Sequence, residues 1–507
     1  MRVTRRRLVH LFGGIAALTM LAVWTPDAWS ASKRLTVGGG AFANSMDPHS
    51  NTTGEALATY NALYDALTYI DAKGEIKPAL ATEWKVISPT VTEFKLRQGV
   101  QFHNGDPFTA DDVKFSIERV LDPANRLAVI ARIPTIKGVT VVDPRTARIE
   151  TKAPDPILLR RLAAIFILPS KYFASVGDRG FGDKPVGTGA FQLKSFTKGH
   201  LISLEAAKNS WRGKPHLQEV VMRIMPEAAV RVSALKTGEI DMVRAVPLDQ
   251  AEALKAEGFD IRVAVLARMD TFNLNAVRDT PLRDKRVRQA LNYAVDKETM
   301  LKQINKGFGR LSDCQLLGPD GFGYNPKLKP YPYDPAKAKQ LLAAAGHPNG
   351  FEIKMTGSQG FFPNDKQHIE AFIGYLRAVG VRVDLQVVET SVWVQSRIAG
   401  TIRDIFFQGK NYFPVMDADF GYANYESTFS GVTYNNPRFD QLFQASRQEL
   451  DERKRGEIIH AMAELMCDDP PVVFMFQEPD AFAINKAVKG FEPRKDLVIW
   501  FDTITKD

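Results

Sequence analysis

The sequence predicts an α/β architecture divided into more than one domain. Three observations carry this. Strand-like and helix-like segments alternate along the chain instead of falling into separate blocks, the pattern of layered sheets and helices. At 507 residues the chain exceeds what one compact core accommodates. Its 45% hydrophobic and 24% charged content is that of a packed globular protein.

The first 30 residues read as an export signal. Arg5, Arg6 and Arg7 form a charged head, Leu8 to Val23 is mostly apolar, and Ala28 and Ser30 place small residues before a cleavage point at Ala31. The apolar run is slightly short for a membrane span of ~20 residues. The arginine run suits a twin-arginine route as well as a Sec route. No cysteine lies near the cleavage point to take a lipid anchor, so the mature chain is expected to be free in a periplasm. Four arginines facing only Asp27 in this segment supply three of the eight surplus positive charges. The remainder is a mildly basic surface and gives no nucleic-acid footprint.

Past the signal, Leu35-Thr36-Val37 reads as a strand running into Gly38, Gly39 and Gly40. Glu93–Leu96 and 141–151 read as further strands. Thr109 with Asp112 three residues on forms a capping box, and Val113, Ile117 and Val120 then share one helix face. Pro281 precedes an amphipathic helix from about Asp284, with Val287, Ala290, Leu291 and Ala294 at helical spacing. Asp334-Pro335 starts another helix, with Leu341 and Leu342 inward and Gly346 at its end. A helix over 368–379, stopped by Gly380, leads into an alternating strand over 381–388.

Enzyme chemistry finds little support. Gly38-x-Gly40-x-x-Ala43 follows a strand, but Pro48 disfavours the helix a dinucleotide site requires. Gly187-Thr188-Gly189 lacks the rest of a phosphate loop. No two histidines stand three or four apart, and no Gly-x-Ser-x-Gly elbow occurs. Asp111-Asp112 and Asp468-Asp469 read as helix-start or loop charges. No catalytic residue, metal site or cofactor is expected. Cys314 and Cys467 either pair as a disulfide or remain buried thiols, and spacing alone does not choose.

Four stretches resemble the family 5 extracellular solute-binding proteins, the dipeptide-, oligopeptide- and nickel-binding type. They run from Lys77 through Trp84 and Phe94 to Val113, Pro185 to Phe191, Val287 to Lys297, and Tyr333 to Ala338. The resemblance implies a two-lobed periplasmic-binding-protein fold with an extra subdomain and a hinge of two crossing segments. It places lobe I at 33–61, 187–272 and 485–507, the extra subdomain at 62–186, and lobe II at 273–484. It implies a solute-binding component of an ABC importer, acting as a monomer with separate permease and ATPase subunits. An enzyme or a periplasmic chaperone or sensor on the same fold is the rival reading.

By the same resemblance, ligand lies between the lobes. The loop after the first strand maps to Gly39, Gly40 and Phe42. The second-lobe segment maps to Gln408, Lys410, Asn411, Tyr412 and Phe413, with Lys410 and Phe413 where many members have tryptophan and aspartate. Asp417 or Asp419 is the substitute acid. The stretch that supplies an arginine in dipeptide binders holds Gln359, Phe361 and Phe362 and no arginine. With both charged anchors missing, a zwitterionic dipeptide would lose hydration without compensation. The expected ligand is therefore a small polar solute, anionic or polyhydroxylated, held by Lys410, Gln359 and Asn411 and stacked on the aromatics. A peptide held mainly through its backbone is the alternative.

Overall fold

The structure, a computed structural model, describes residues 33–358 and 362–507. The expected export signal, Gln359 and Phe361 lie outside the described residues. None of the described helices is long and apolar enough to cross a membrane.

An eleven-stranded mixed sheet runs through the molecule. Its main path, from one edge to the other, is Val381–Val388, Phe351–Ser358, Ile405–Asn411, Asp260–Leu274, Val472–Ile484, Met242–Arg244, Arg34–Gly39, Glu219–Ile224, Leu201–Ala206 and Phe191–Thr197. Arg310–Leu311 pairs with Val472–Ile484 off this path. Two strands are much longer than the rest, Asp260–Leu274 with 15 residues and Val472–Ile484 with 13. They are antiparallel to each other. Every residue of Val472–Ile484 is buried, as suits a strand covered on both faces. At its start Asp260–Leu274 lies against the end of Val472–Ile484, which also pairs with Met242–Arg244. From Arg268 onward it also pairs with Ile405–Asn411. The register with Val472–Ile484 shifts between Val265 and Thr271. The second neighbour and the register shift therefore both fall a few residues before position 272.

The apolar cores follow this division. Leu35, Val37, Tyr64, Phe191, Leu204 and Met222 belong to one cluster around Arg34–Gly39. Phe272, Leu291, Phe372, Phe407 and Met475 belong to another, where the rings of Phe272 and Phe372 stack at 3.7 Å. A separate four-stranded antiparallel sheet carries its own cluster, with Phe94, Phe102, Val113, Ile117 and Ile149. Trp84 sits half-buried at its rim.

Helix signals translate directly. Ala110–Leu121 has both halves of the Thr109–Asp112 capping box, and Lys285–Ala294 buries Val287, Ala290, Leu291 and Ala294. Asp334 caps Pro335–Ala344. Asp365–Ala378 followed by Val381–Val388 forms the helix-to-strand unit, parallel to Phe351–Ser358. One expectation fails: 141–151 is a hairpin of Ile136–Asp143 and Thr146–Thr151, not one strand. Pro144 has no N–H to donate and follows Asp143, whose carboxylate accepts the Arg145 N–H in a turn. Gly187 and Gly189 allow a close crossing: a Cβ would come within 2.0 Å of the Leu63 carbonyl oxygen and 2.3 Å of that of Ala62.

Cys314 and Cys467 form a disulfide across a separation of 153 residues. Loop-closure entropy makes a bridge of this span worth up to about 5 kcal/mol. Replacing both cysteines with serine is expected to lower the unfolding free energy by about 2–5 kcal/mol in urea titration. An unchanged midpoint would show that the bridge adds nothing.

Candidate functional site

The two long strands carry charge where apolar residues would be expected. Arg268 and Asp270 interrupt an apolar run in Asp260–Leu274, and Glu478 and Asp480 do so in Val472–Ile484. Strand alternation puts Arg268, Asp270 and Phe272 on one face. Register places Asn411 beside Arg268, Gly409 beside Asp270, and Phe407 beside Phe272. The Arg268 guanidinium donates through Nε to Asn411 Oδ1 at 2.6 Å and through Nη1 to Glu478 Oε1 at 3.2 Å. Its Nη2 lies 3.8 Å from Glu55 Oε1, on the far half of the molecule. Beyond it, Arg244 pairs with Asp480 at 3.0 Å.

This junction is short of positive charge. Asp270 is 2% exposed, and its Oδ1 has no hydrogen-bond partner. Burial, reinforced by Glu478, pushes its carboxyl well above the usual range against the pull of Arg268. Glu478 is raised by burial in the same way, with Arg268 opposing. Burial also acts on Glu55, but Arg268 and Arg244 outweigh it and hold that carboxyl low.

The halves also meet just beyond Ile405–Asn411. Phe413 is buried, and the open side of Gly54 faces its ring. Arg268 lies 5.7 Å from the same ring. Arg160 donates to the Val415 carbonyl at 3.1 Å, and Arg161 bridges Asp155 and Asp419, each at 2.9 Å.

The expected binding residues are only partly brought together. Gly39 ends the first strand and is buried, and Gly40 follows it and is exposed. Phe42 is a core residue whose ring occupies the space beside Gly39, so it presents no free face for stacking. Tyr412 is also internal: its hydroxyl donates to Asp320 at 2.9 Å and accepts from Gln477 Nε2 at 2.9 Å and the Gly318 N–H at 3.1 Å. Phe362 packs edge-on against Trp393 and Phe407.

Lys410 and Asn411 are successive strand residues and point to opposite faces. Lys410 lies on the side of Phe406 and Arg397, 8% exposed, and burial reinforced by Arg397 pushes its ammonium down to about 7. Lys410, Gln408 and Asn411 therefore do not form one polar wall; Gln408, half-buried, accepts from Thr271 through its carbonyl at 3.2 Å. Neither substitute acid is open. Asp417 is fully buried, caps Ala418–Tyr422 and holds Arg455 through both oxygens. Asp419 is shared by Arg161 and Arg447. Sequence reading passed over Asp270, Arg268 and Glu478. The available signal was charge inside two long β-prone runs.

A sequence profile of the bacterial extracellular solute-binding proteins, family 5 Middle, matches residues 75–431. The glutathione-binding protein GsiB of Pectobacterium atrosepticum is 26% identical over 99% of this chain and 98% of its own length. GsiB of Escherichia coli K12 is 25% identical over 96% of both. Among solved structures, the periplasmic binding protein DppA of Helicobacter pylori with the peptide STSA superposes with a TM-score of 0.81 at 26% identity, covering 93% of this chain and 98% of that one. The dipeptide-binding protein of Pseudoalteromonas sp. SM9913 with Met-Leu gives 0.81 at 25% identity, covering 94% and 100%. The chain belongs to the family 5 bacterial extracellular solute-binding proteins. It is a two-lobed α/β solute-binding protein of an ABC import system, and such proteins take small ligands and work with permease and ATPase subunits.

The buried Lys410 gives a test with a definite sign. Its folded-state value near 7 lies below the ordinary 10.5, so between these the unfolded chain holds a proton the folded one lacks. Stability is expected to fall as pH drops from about 10 to 7 and then to level off. Lys410→Met should flatten this slope and raise the melting temperature at pH 7. A variant with unchanged slope would show the ammonium to be solvated.

Proposed function

We propose that the cleft between the halves closes over a small peptide-like solute and delivers it unaltered to the permease. Three ligands named for relatives, glutathione, Met-Leu and the peptide STSA, share a free α-ammonium and a peptide backbone. In this reading 33–61, 187–272 and 485–507 form one lobe, 62–186 its added subdomain and 273–484 the other lobe. Residues 1–30 direct export and are removed, and the mature chain acts as a periplasmic monomer.

The observation that carries the proposal is the charged junction on the crossing strands. Arg268 reaches Asn411 and Glu478 and faces Glu55 across the divide. Two bodies joined by a pair of strands can rotate about them, and a solute contacting both sides favours the closed arrangement. The solute-facing groups are then Gly39, Gly40 and Asn411, beside the crossing-strand charges. Asn411 and the backbone at the exposed Gly40 supply neutral hydrogen-bonding groups suited to a peptide backbone. A solute with anionic groups and no ammonium is disfavoured, because Lys410 faces the other way and the junction is rich in carboxylates.

Purified protein should release one equivalent of a small molecule on denaturation, identified by mass spectrometry. Returning that molecule should stabilise the protein by about 2.7 kcal/mol at a hundredfold excess over its dissociation constant. Conversion of the molecule during incubation would overturn the binding reading. So would the lack of any thermal shift with a whole small-molecule extract.

A further inference from the structure

Four carboxylates gather where the crossing strands pass between the halves: Glu55, Asp270, Glu478 and Asp480. Arg268 and Arg244 face them directly. Arg231, whose charge also acts with Asp480, stands behind, held by the Met225, Pro226 and Ala245 carbonyls. Were all four ionised, they would outnumber the guanidinium groups by one even with Arg231 included. The deficit falls on Asp270. Arg268 and Arg244 are engaged with Glu478 and Asp480, whereas Asp270 Oδ1 is buried with no partner. No divalent-metal site explains it, since the described residues include no group of three or more side chains suited to hold a metal.

We propose that Asp270 receives a primary ammonium of the transported solute, making it a specificity-determining residue of this binding protein. The inference rests on the solute-binding reading and adds the chemical class of the ligand. Three features support it. Arg268, on the same strand face, reaches Asn411 and faces Glu55, so this face looks into the junction between the halves. Asp270 lies beside Gly409, where a Cβ would stand 3.3 Å from Oδ1. The glycine leaves room there for the stem of Arg268, whose Cδ would lie 2.8 Å from that Cβ, so Arg268 and Asp270 stand side by side over Gly409. A primary ammonium supplies both the missing charge and hydrogen bonds to the unpartnered oxygen, a charge-assisted contact in a desolvated place.

The site also has a proton balance. Without ligand, burial and Glu478 favour the protonated form of Asp270, with Arg268 opposing. An arriving ammonium stabilises the carboxylate, so the carboxyl proton passes to solvent as the ammonium docks. Affinity is then expected to rise with pH until Asp270 is ionised in the free protein.

The test uses a dialysable bacterial small-molecule extract, native and after acetylation of its primary amines, read by thermal shift on the mature protein. The native extract should stabilise the protein and the acetylated one should not. Equal shifts would overturn the ammonium site and leave solute binding standing. No shift with either would overturn both. Asp270→Asn should lose about ten- to hundredfold in affinity for the molecule recovered from the native extract. Its own melting temperature without ligand should be no lower than that of the parent, because a buried unpaired acid has been replaced by a neutral amide. Unchanged affinity in a folded Asp270→Asn protein would sink the proposal. If that variant does not fold, the acetylation comparison decides alone.

Discussion

The pairing of Asp260–Leu274 with Val472–Ile484 is the constraint on which the rest of the structure depends. These strands are the central members of the large sheet, and both halves are built outward from them. Parallel neighbours extend one side through Arg34–Gly39 and the other through Phe351–Ser358. The ladder between the two long strands shifts its register between Val265 and Thr271, where Ile405–Asn411 joins the other edge of Asp260–Leu274. A bulged ladder is locally less constrained than a regular one, which makes this the natural place for a bend.

The same segment holds the charges of the candidate site. Charge in a buried strand is costly unless it is paired, so its persistence here has to be explained by its partners. Arg268 and Glu478 provide most of that explanation by satisfying each other. Asp270 is the residue they leave over, and burial, reinforced by Glu478, raises its carboxyl against the pull of Arg268. A binding protein gains from such a defect, because a ligand that corrects it is bound selectively and favours closure. Native sites commonly hold this kind of local instability in exchange for function.

The charge pairs beyond Ile405–Asn411 are of another kind. Asp417 with Arg455, and Asp419 with Arg161 and Arg447, are complete in themselves. They fix the chain after the strand, and the short helix Leu158–Leu162 docks against it through Arg160 and Arg161. An acid in the right sequence neighbourhood is therefore no guide to ligand contact until its partners are known.

The sequence by itself determined the layered α/β class, the helix starts at Thr109, Asp284 and Asp334, and the family. These rest on local chemistry: capping side chains, apolar periodicity and glycine placement act within a few residues of one another. It did not settle which charged side chains share a face, because that depends on register between strands far apart in the chain. Lys410 and Asn411 are neighbours in sequence and face opposite ways, while Asp270 and Glu478 stand 208 positions apart and act on each other. Only tertiary pairing sets those relations. For the same reason the Cys314–Cys467 bond was one of two open outcomes from spacing, and the approach of the two chain segments decided it.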